Sequence, residues 1–88
     1  MNTRKLERIV KGFSNHRRIQ IMALLEDKPD LSVFEISDEL GANFKTISEH
    51  LRKLNSTGLV LKRNVGYEVE HILSKDGKFV LRFLRTLE

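Results

Sequence analysis

The sequence predicts a mainly α-helical fold with one β-hairpin, in the element order α-α-α-α-β-β-α. Two patterns lead to this prediction. Before residue 58, four segments carry apolar residues at helical spacing, and a fifth such segment covers residues 74–87. Between them, residues 59–73 instead predict two short strands around a turn that contains glycine. A chain of 88 residues has room for one domain, so residues 1–88 are expected to form a single unit.

The first two helices are predicted from their apolar spacing and from the residues between them. The first is expected at residues 2–12 and is closed by Gly12, and Ser14 is expected to cap the second. The second helix is apolar nearly all round as far as Leu25, so we expect it to be the buried central helix. Residues 26–30 contain the single proline and predict a loop.

The third and fourth helices have clear start and stop signals. Ser32 and Glu35 have the spacing of a capping box, and Gly41 can adopt the left-handed conformation that a tight helix exit needs. Asn43 is expected to cap a helix over residues 43–55. Both helices carry an apolar stripe, and together they have the arrangement of a helix-turn-helix.

The hairpin and the last helix complete the pattern. Strands are predicted at residues 59–63 and 67–73 around a turn at residues 64–66, and the last helix is expected to begin near Ser74. A hairpin directly after a helix-turn-helix would lie beside its second helix as a wing. The predicted architecture is therefore a winged helix-turn-helix.

Polar residues on the second helix of the pair favour double-stranded DNA as a partner. Opposite the apolar stripe lie short donors and acceptors in the first two turns, which is what contact with base edges requires. In these turns lie Lys45, Thr46, Ser48 and Glu49. Arg52 lies further along the helix, where phosphates are the expected targets.

Charge is unevenly distributed along the chain, although its net value is only +4. Residues 1–25 hold six basic and one acidic side chain, residues 26–42 one basic and six acidic, and residues 43–66 five basic and one acidic. Such segregation favours a polyanion as partner of the basic segments. Ordinary solvated helix faces would explain it as well.

Three stretches of the chain also carry a resemblance to a known family. Residues 14–25, Ser-Asn-His-Arg-Arg-Ile-Gln-Ile-Met-Ala-Leu-Leu, are similar to an Arg-x-x-Ile-Leu helix, and residues 31–41 to the first helix of a DNA-reading pair. Residues 45–60, Lys-Thr-Ile-Ser-Glu-His-Leu-Arg-Lys-Leu-Asn-Ser-Thr-Gly-Leu-Val, closely match the recognition stretch T-V-S-x-H-L-x-x-L-x-x-x-G-L-V. All three belong to ArsR/SmtB-type regulators, which the chain resembles over about residues 6–84. The resemblance implies a homodimer that binds an inverted-repeat operator and represses transcription.

The same resemblance implies that four residues of the recognition helix face the bases, namely Lys45, Thr46, Ser48 and Glu49. It also implies that Lys62 and Arg63 of the wing contact phosphates. The full set of predicted DNA-binding residues is Asn43, Lys45, Thr46, Ser48, Glu49, Arg52, Lys62 and Arg63. The acidic Glu68 and Glu70 of the return strand either pair with Lys62 or Arg63 across the hairpin or weaken the contact of the wing with phosphate.

The resemblance makes the terminal helices, residues 2–12 and 74–87, the dimer interface. The last helix carries more apolar residues than one buried stripe can hide, which also favours burial between two copies over a purely intramolecular core. The predicted interface residues are Leu6, Ile9, Phe13, Phe79, Val80, Phe83, Leu84 and Leu87.

The chain departs from the family at the metal sites. Ser32 and Phe34 occupy the places of a Cys-x-Cys pair with which many members bind metal. A second metal site of the family uses Asp and His on the last helix, which here has Asp76 but no histidine. The three histidines lack the spacing that places two ligands on one helix face. We therefore expect neither a metal nor another cofactor, and the effector of such a regulator stays open.

Other classes of function are disfavoured. No nucleophile motif or Gly-rich phosphate loop is present, so the chain is not expected to be an enzyme. No apolar run approaches the roughly 20 residues that span a bilayer, so no membrane contact is expected. The absence of cysteine and of a signal-peptide pattern favours the cytoplasm.

Several alternatives stay open. The same fold can serve as a protein-interaction module in a transcription or toxin-control complex, which the acidic segment 26–42 would favour. Phe44 either packs against the third helix or touches a thymine methyl group, and His50 either lies at the edge of the core or reaches a phosphate. His71 is expected to be a half-buried residue of the sheet.

Overall fold

The computed structural model describes all 88 residues, and its elements follow the predicted order. The elements are α1 (Thr3–Phe13), α2 (His16–Asp27), α3 (Val33–Leu40), α4 (Phe44–Ser56), β1 (Val60–Val65), β2 (Glu68–Leu73) and α5 (Lys75–Thr86). β1 and β2 form a two-stranded antiparallel sheet. The predicted α-α-α-α-β-β-α order is confirmed.

A single hydrophobic core lies around α2, which contacts α1, α4, α5 and β2. The prediction that α2 is the central helix is therefore confirmed, and Ile21, Met22 and Leu25 are its buried residues. The complete core consists of Ile21, Met22, Leu25, Ile36, Ile47, Leu51, Leu54, Leu59, Val60, Leu73 and Leu81. Every element except α1 contributes to this cluster, so the wing and α5 belong to the same folding unit as the helix pair.

The turn between α3 and α4 is held by the predicted caps. The Glu35 N–H donates to Ser32 Oγ at 3.2 Å, and the Ser32 N–H donates to Glu35 Oε1 at 2.9 Å, which completes the capping box. Gly41 ends α3 with a φ of 60°, in the left-handed region where a side chain would be strained. Asn43 then caps α4, so the two helices are joined by three residues.

The predicted junction between α1 and α2 was wrong in two details. Gly12 does not close the first helix, because α1 continues to Phe13 and Gly12 is buried within it against Thr57. Asn15, and not Ser14, caps α2, with its Oδ1 accepting from the N–H groups of Arg17 and Arg18. Glycine is present here because α1 and the end of α4 approach too closely for a Cβ atom, whereas the prediction assumed a left-handed exit.

The hairpin turn is also shorter than predicted. Val65 pairs with Glu68, so the turn consists of Gly66 and Tyr67, and Asn64 and Val65 belong to β1. Gly66 has a φ of 62°, as the first position of a tight two-residue turn requires. The two strands are therefore paired along their whole length, from Val60 opposite Leu73 to Val65 opposite Glu68. The exposed tip of the hairpin is Tyr67.

The wing is tied to the loop before α3. The His71 N–H donates to the Leu31 carbonyl at 2.9 Å, and the Asp30 N–H donates to the His71 carbonyl at 3.0 Å. His71 Nδ1 also lies 2.9 Å from the Leu31 oxygen, and since that oxygen can only accept, the ring donates from Nδ1. His71 is 4% exposed and so is more deeply buried than the half-buried position predicted.

Substitution of Gly77 is expected to destabilise the fold. A Cβ atom there would collide with the backbone carbonyl of Leu59 and with the Leu73 side chain. We expect Gly77→Ala to lower the free energy of unfolding by about 1–3 kcal/mol, since the carbonyl cannot move aside as a side chain can. Urea denaturation measures this. Lys78→Ala, an exposed change on the same helix, is the control, and equal midpoints for the two variants would contradict the expectation.

Candidate nucleic-acid interface

The exposed side of α4 forms a shallow groove whose lining residues are polar or charged except for Phe44. Its buried stripe, Ile47, Leu51 and Leu54, packs into the core and leaves the opposite side in solvent. The residues that line the groove are Phe44, Lys45, Ser48, Glu49 and Arg52. The structure therefore brings together four of the predicted recognition-helix residues, because positions three and four apart share one helix face.

Two other predicted residues of this helix lie outside that groove. The Asn43 Oδ1 accepts from the N–H groups of Lys45 at 2.9 Å and Thr46 at 3.2 Å, so its oxygen is engaged in capping the helix. Thr46 is exposed, but it is not among the residues that line the groove.

Glu49 is an acidic side chain in otherwise basic and polar surroundings. The ion pairs of the chain involve Glu7, Glu26, Asp30, Glu39 and Glu70, and none involves Glu49. An exposed carboxylate without a cation partner is free to accept hydrogen bonds from a bound molecule. Glu49 lies beside Lys45 and Arg52, so the groove can favour a bound molecule that offers a hydrogen-bond donor next to negative charge.

The wing contributes Lys62 to a second cleft beside the first. Lys62 lies opposite His71 in the hairpin, on the strand face that is turned toward α4. The cleft has a volume of about 300 Å³ and is lined by Val33, Ser48, Leu51, Arg52, Asn55, Lys62, Val69 and His71. Ser48 and Arg52 line both clefts, so Lys62 joins the predicted residues of α4 in one surface.

Arg63 lies on the opposite face of the hairpin, away from the other predicted residues. Its guanidinium contacts Asp30 at 2.9 Å and Glu70 at 3.3 Å. Of the two alternatives for the acidic strand, Glu70 follows the first and pairs with Arg63 across the hairpin, whereas Glu68 lies opposite Val65 and forms no ion pair. Two carboxylates reduce the positive charge that Arg63 can present to a polyanion in the free protein.

Arg18 is a basic residue of this surface that the sequence analysis missed. Together with Glu49, Arg52, Lys53 and Ser56 it lines a wholly polar groove at the far side of the recognition helix. Its guanidinium donates to the Lys11 carbonyl at 3.4 Å and lies 3.5 Å from His50 Nδ1. The adjacent arginines at the start of α2 were the available signal, but their proximity to α4 depends on the packing of the two helices.

Residues 15–62 match the family model described as bacterial regulatory protein, arsR family. The chain belongs to the ArsR family. The predicted resemblance is therefore confirmed, and since the family consists of transcriptional regulators, so is the prediction that the chain is not an enzyme.

Relatives and solved structures agree on family and fold. The transcriptional activator HlyU of Vibrio cholerae is 37% identical over 87 residues, which are 98% of this chain and 80% of HlyU. A solved structure of that HlyU has a TM-score of 0.84 at 34% identity and covers 98% of this chain and 94% of its own. A Mycobacterium bovis domain, described as a homodimeric winged helix-turn-helix DNA-binding domain of a possible ArsR-family regulator, has a TM-score of 0.87 at 28% identity, with coverage of 97% and 79%. The winged helix-turn-helix fold is confirmed.

The positions of the family's metal ligands hold other residues in this ArsR-family protein. Ser32 caps α3, and Phe34, two residues later, is 70% exposed. Asp76 lies in the first turn of α5. No three His, Asp or Glu side chains come together where they could hold a metal ion. Each helix is also too short or too polar to cross a membrane.

The terminal helices leave an apolar surface in solvent. Phe79 and Phe83 on α5, and Leu87 at its C-cap, are each more than half exposed, and Leu6 and Val10 on α1 are 42% and 51% exposed. Of the other predicted interface residues, Leu84 is partly exposed, while Ile9, Phe13 and Val80 pack against the core of their own chain. Val10 was not among the predicted residues.

The acidic segment 26–42 is largely engaged within the ArsR-family domain itself. Glu26 pairs with Arg85 at 2.9 Å, and Lys28 pairs with Glu39 at 2.8 Å. Asp30 holds Arg63, and the capping box that engages Glu35 holds the pKa of its carboxyl below the usual range. These contacts account for most of the negative charge that would favour a protein-interaction module.

His50 makes the stability of the domain depend on pH. Partial burial, followed by the charges of Arg18 and Arg17, lowers the pKa of His50 below its usual 6.5. The unfolded chain therefore takes up this proton first, so stability is full above about pH 6.5 and is lost as the pH falls through the lowered value.

We expect His50→Gln to flatten the dependence of unfolding free energy on pH between about pH 7.5 and 5.5. His16 and His71 are present in both proteins, so the difference between the two profiles isolates His50. Thermal or urea unfolding at a series of pH values measures the effect. Parallel profiles would show that His50 contributes nothing.

Proposed function

We propose that this chain is a sequence-specific DNA-binding transcriptional regulator that binds an inverted-repeat operator as a homodimer. The observation that carries the proposal is the exposed face of α4, where Lys45, Ser48, Glu49 and Arg52 line one groove beside the wing cleft. The description of the M. bovis domain as homodimeric and DNA-binding supports it. The proposed DNA binding would take place in the cytoplasm.

The residues of the reading face would divide between bases and phosphates. Lys45, Thr46, Ser48 and Glu49 lie in the first two turns of α4, from which side chains reach base edges in the major groove. Lysine favours the acceptors of guanine, and a carboxylate accepts from the amino group of cytosine. Asn43 caps the end of α4 that would enter the groove. Arg52, Lys62 and Arg63, with Arg18 and Lys53, would contact phosphates.

The dimer would form through the apolar surface of α1 and α5. Phe79, Phe83 and Leu87 are large apolar residues that are more than half exposed in the single chain, which favours their burial against a second copy. A twofold pairing presents the two recognition helices to half-sites about 10 bp apart, or a multiple of that spacing. Ile9, Phe13, Val80 and Leu84 would support this surface from behind.

We propose repression by occupancy, in which the bound dimer blocks a promoter. The activator name of HlyU makes activation the competing direction. A reporter with the operator moved stepwise upstream separates the two, because occlusion is lost once the site leaves the promoter, whereas activation requires an upstream site.

Base recognition by α4 is tested with Lys45→Ala/Ser48→Ala. We expect the ratio of specific to random-duplex affinity to fall at least about 30-fold, since two base contacts are removed and each good base contact contributes roughly 1–3 kcal/mol of discrimination. Fluorescence anisotropy with a duplex selected from a random library measures it. Lys75→Ala on α5 makes the same charge change as Lys45→Ala and should keep the ratio. An unchanged ratio in the double variant would contradict the assignment of the reading face.

Phosphate contacts are tested by salt dependence. Arg52→Ala is expected to lower the affinity for selected and random duplexes alike. It should also reduce the magnitude of the slope of log affinity against log salt by about 0.9. Arg63→Ala is expected to reduce the slope less, because Asp30 and Glu70 already hold that guanidinium. A reduction for Arg63→Ala as large as that for Arg52→Ala would mean that the ion pairs open on binding.

The dimer surface is tested with Phe83→Ser, at a position that is 58% exposed. We expect the variant to sediment as a monomer at concentrations where the wild type is a dimer. It should also bind a palindromic duplex with lower affinity, because the two half-sites are no longer linked. Tyr67→Ser at the tip of the wing removes a fully exposed aromatic ring and is the matched control. A dimeric Phe83→Ser protein would contradict the proposed interface.

A further inference from the structure

Phe44 is an exposed aromatic residue at the start of the recognition helix. It is the first residue of α4, and 55% of its surface is in solvent. The side chain thus borders α3, one of the two alternatives for this residue, and still leaves more than half of its surface free for contact with a partner. Neither the core nor the apolar surface of α1 and α5 includes it.

The ring forms part of the boundary of two grooves. On one side lie Lys45, Ser48, Glu49 and Arg52, the proposed reading face. On the other side lie Phe34, Ser37, Asp38, Gly41 and Ala42, at the turn between the two helices. Phe44 and Ser48 are four residues apart, so Phe44 extends the row of reading residues toward the N-terminal end of α4.

The geometry points to Phe44 as a specificity-determining residue that contacts the 5-methyl group of a thymine in each half-site. This inference rests on the proposed function. N-terminal residues of a recognition helix are those that meet base edges, and the thymine methyl is the one apolar group that the major groove displays. An apolar ring there gains contact with a methyl group and gains nothing from the polar edges of other bases.

Phe34 provides a comparison within the same groove. It is 70% exposed, but it lies on α3, whose exposed side also carries Glu35, Asp38 and Glu39. Lys28 holds Glu39, but Glu35 and Asp38 have no cation partner and would be repelled by phosphates, so this side of α3 is not expected to approach DNA closely. The two phenylalanines thus have similar chemistry and exposure, while only Phe44 borders the reading face.

The experiment uses the full chain and duplexes selected from a random library by the wild-type protein. Thymines of one half-site are replaced singly by deoxyuridine, which removes the methyl group and leaves the hydrogen-bonding pattern unchanged. At one position we expect wild-type affinity to fall about three- to fivefold, the effect of one buried methyl-sized group. Phe44→Ala should bind the thymine and deoxyuridine duplexes with equal affinity. Phe44→Leu should keep part of the wild-type difference in affinity between the two duplexes, and Phe34→Ala should keep all of it. Thermal unfolding confirms that each variant is folded.

The outcomes separate this inference from the proposed function. A library with no enriched sequence would overturn both. An enriched sequence in which no thymine is sensitive to deoxyuridine would overturn only the role of Phe44, as would a Phe44→Ala protein that keeps the wild-type ratio. In either of the last two cases the Phe34 and Phe44 rings would be left as a surface for a protein partner.

Discussion

Burial of Ile47, Leu51 and Leu54 is the interaction on which the functional surface depends. These residues pack α4 against α2 and α3 and so fix its rotation about its own axis. A helix that buries one stripe must turn the opposite side outward. The core thereby determines which side chains can reach a partner, and the three-residue turn at Gly41 determines the angle at which α4 projects. Stability and recognition are consequently set by the two sides of one helix.

The wing is positioned by contacts that are distant in sequence. His71 links β2 to Leu31 through backbone and ring hydrogen bonds, and Arg63 links β1 to Asp30. Both contacts connect the hairpin to the loop before α3, so the wing and the helix pair behave as one body. The exposed ion pair adds little stability by itself, but it removes a positive charge from one face of the hairpin. On the face toward α4, Lys62 forms no ion pair, so the unpaired positive charge of the wing lies at the cleft between the wing and α4.

The size of the chain connects its stability to its assembly. A domain of 88 residues buries a limited share of its surface, and here the core contains eleven residues. Several large apolar residues of α1 and α5 stay outside that core. In the proposed dimer these residues would add a second buried layer, and stability would then depend on protein concentration. The same pairing would set the distance between recognition helices, so the interface would serve both folding and operator geometry.

Local patterns of the sequence determined the element order, the capping box at Ser32, the cap at Asn43 and the polar face of α4, because helical period and capping depend on residues within one or two turns. Only the tertiary structure decided the role of Gly12, the register of the hairpin, the pairing of Arg63 with Asp30 and the approach of Arg18 to the recognition helix. Each of these depends on residues that are far apart in sequence: Gly12 meets Thr57, and Arg18 meets His50. A short-range pattern carries no information about such distances. The physical reason is that packing, and not local preference, decides which two surfaces of a small domain come into contact.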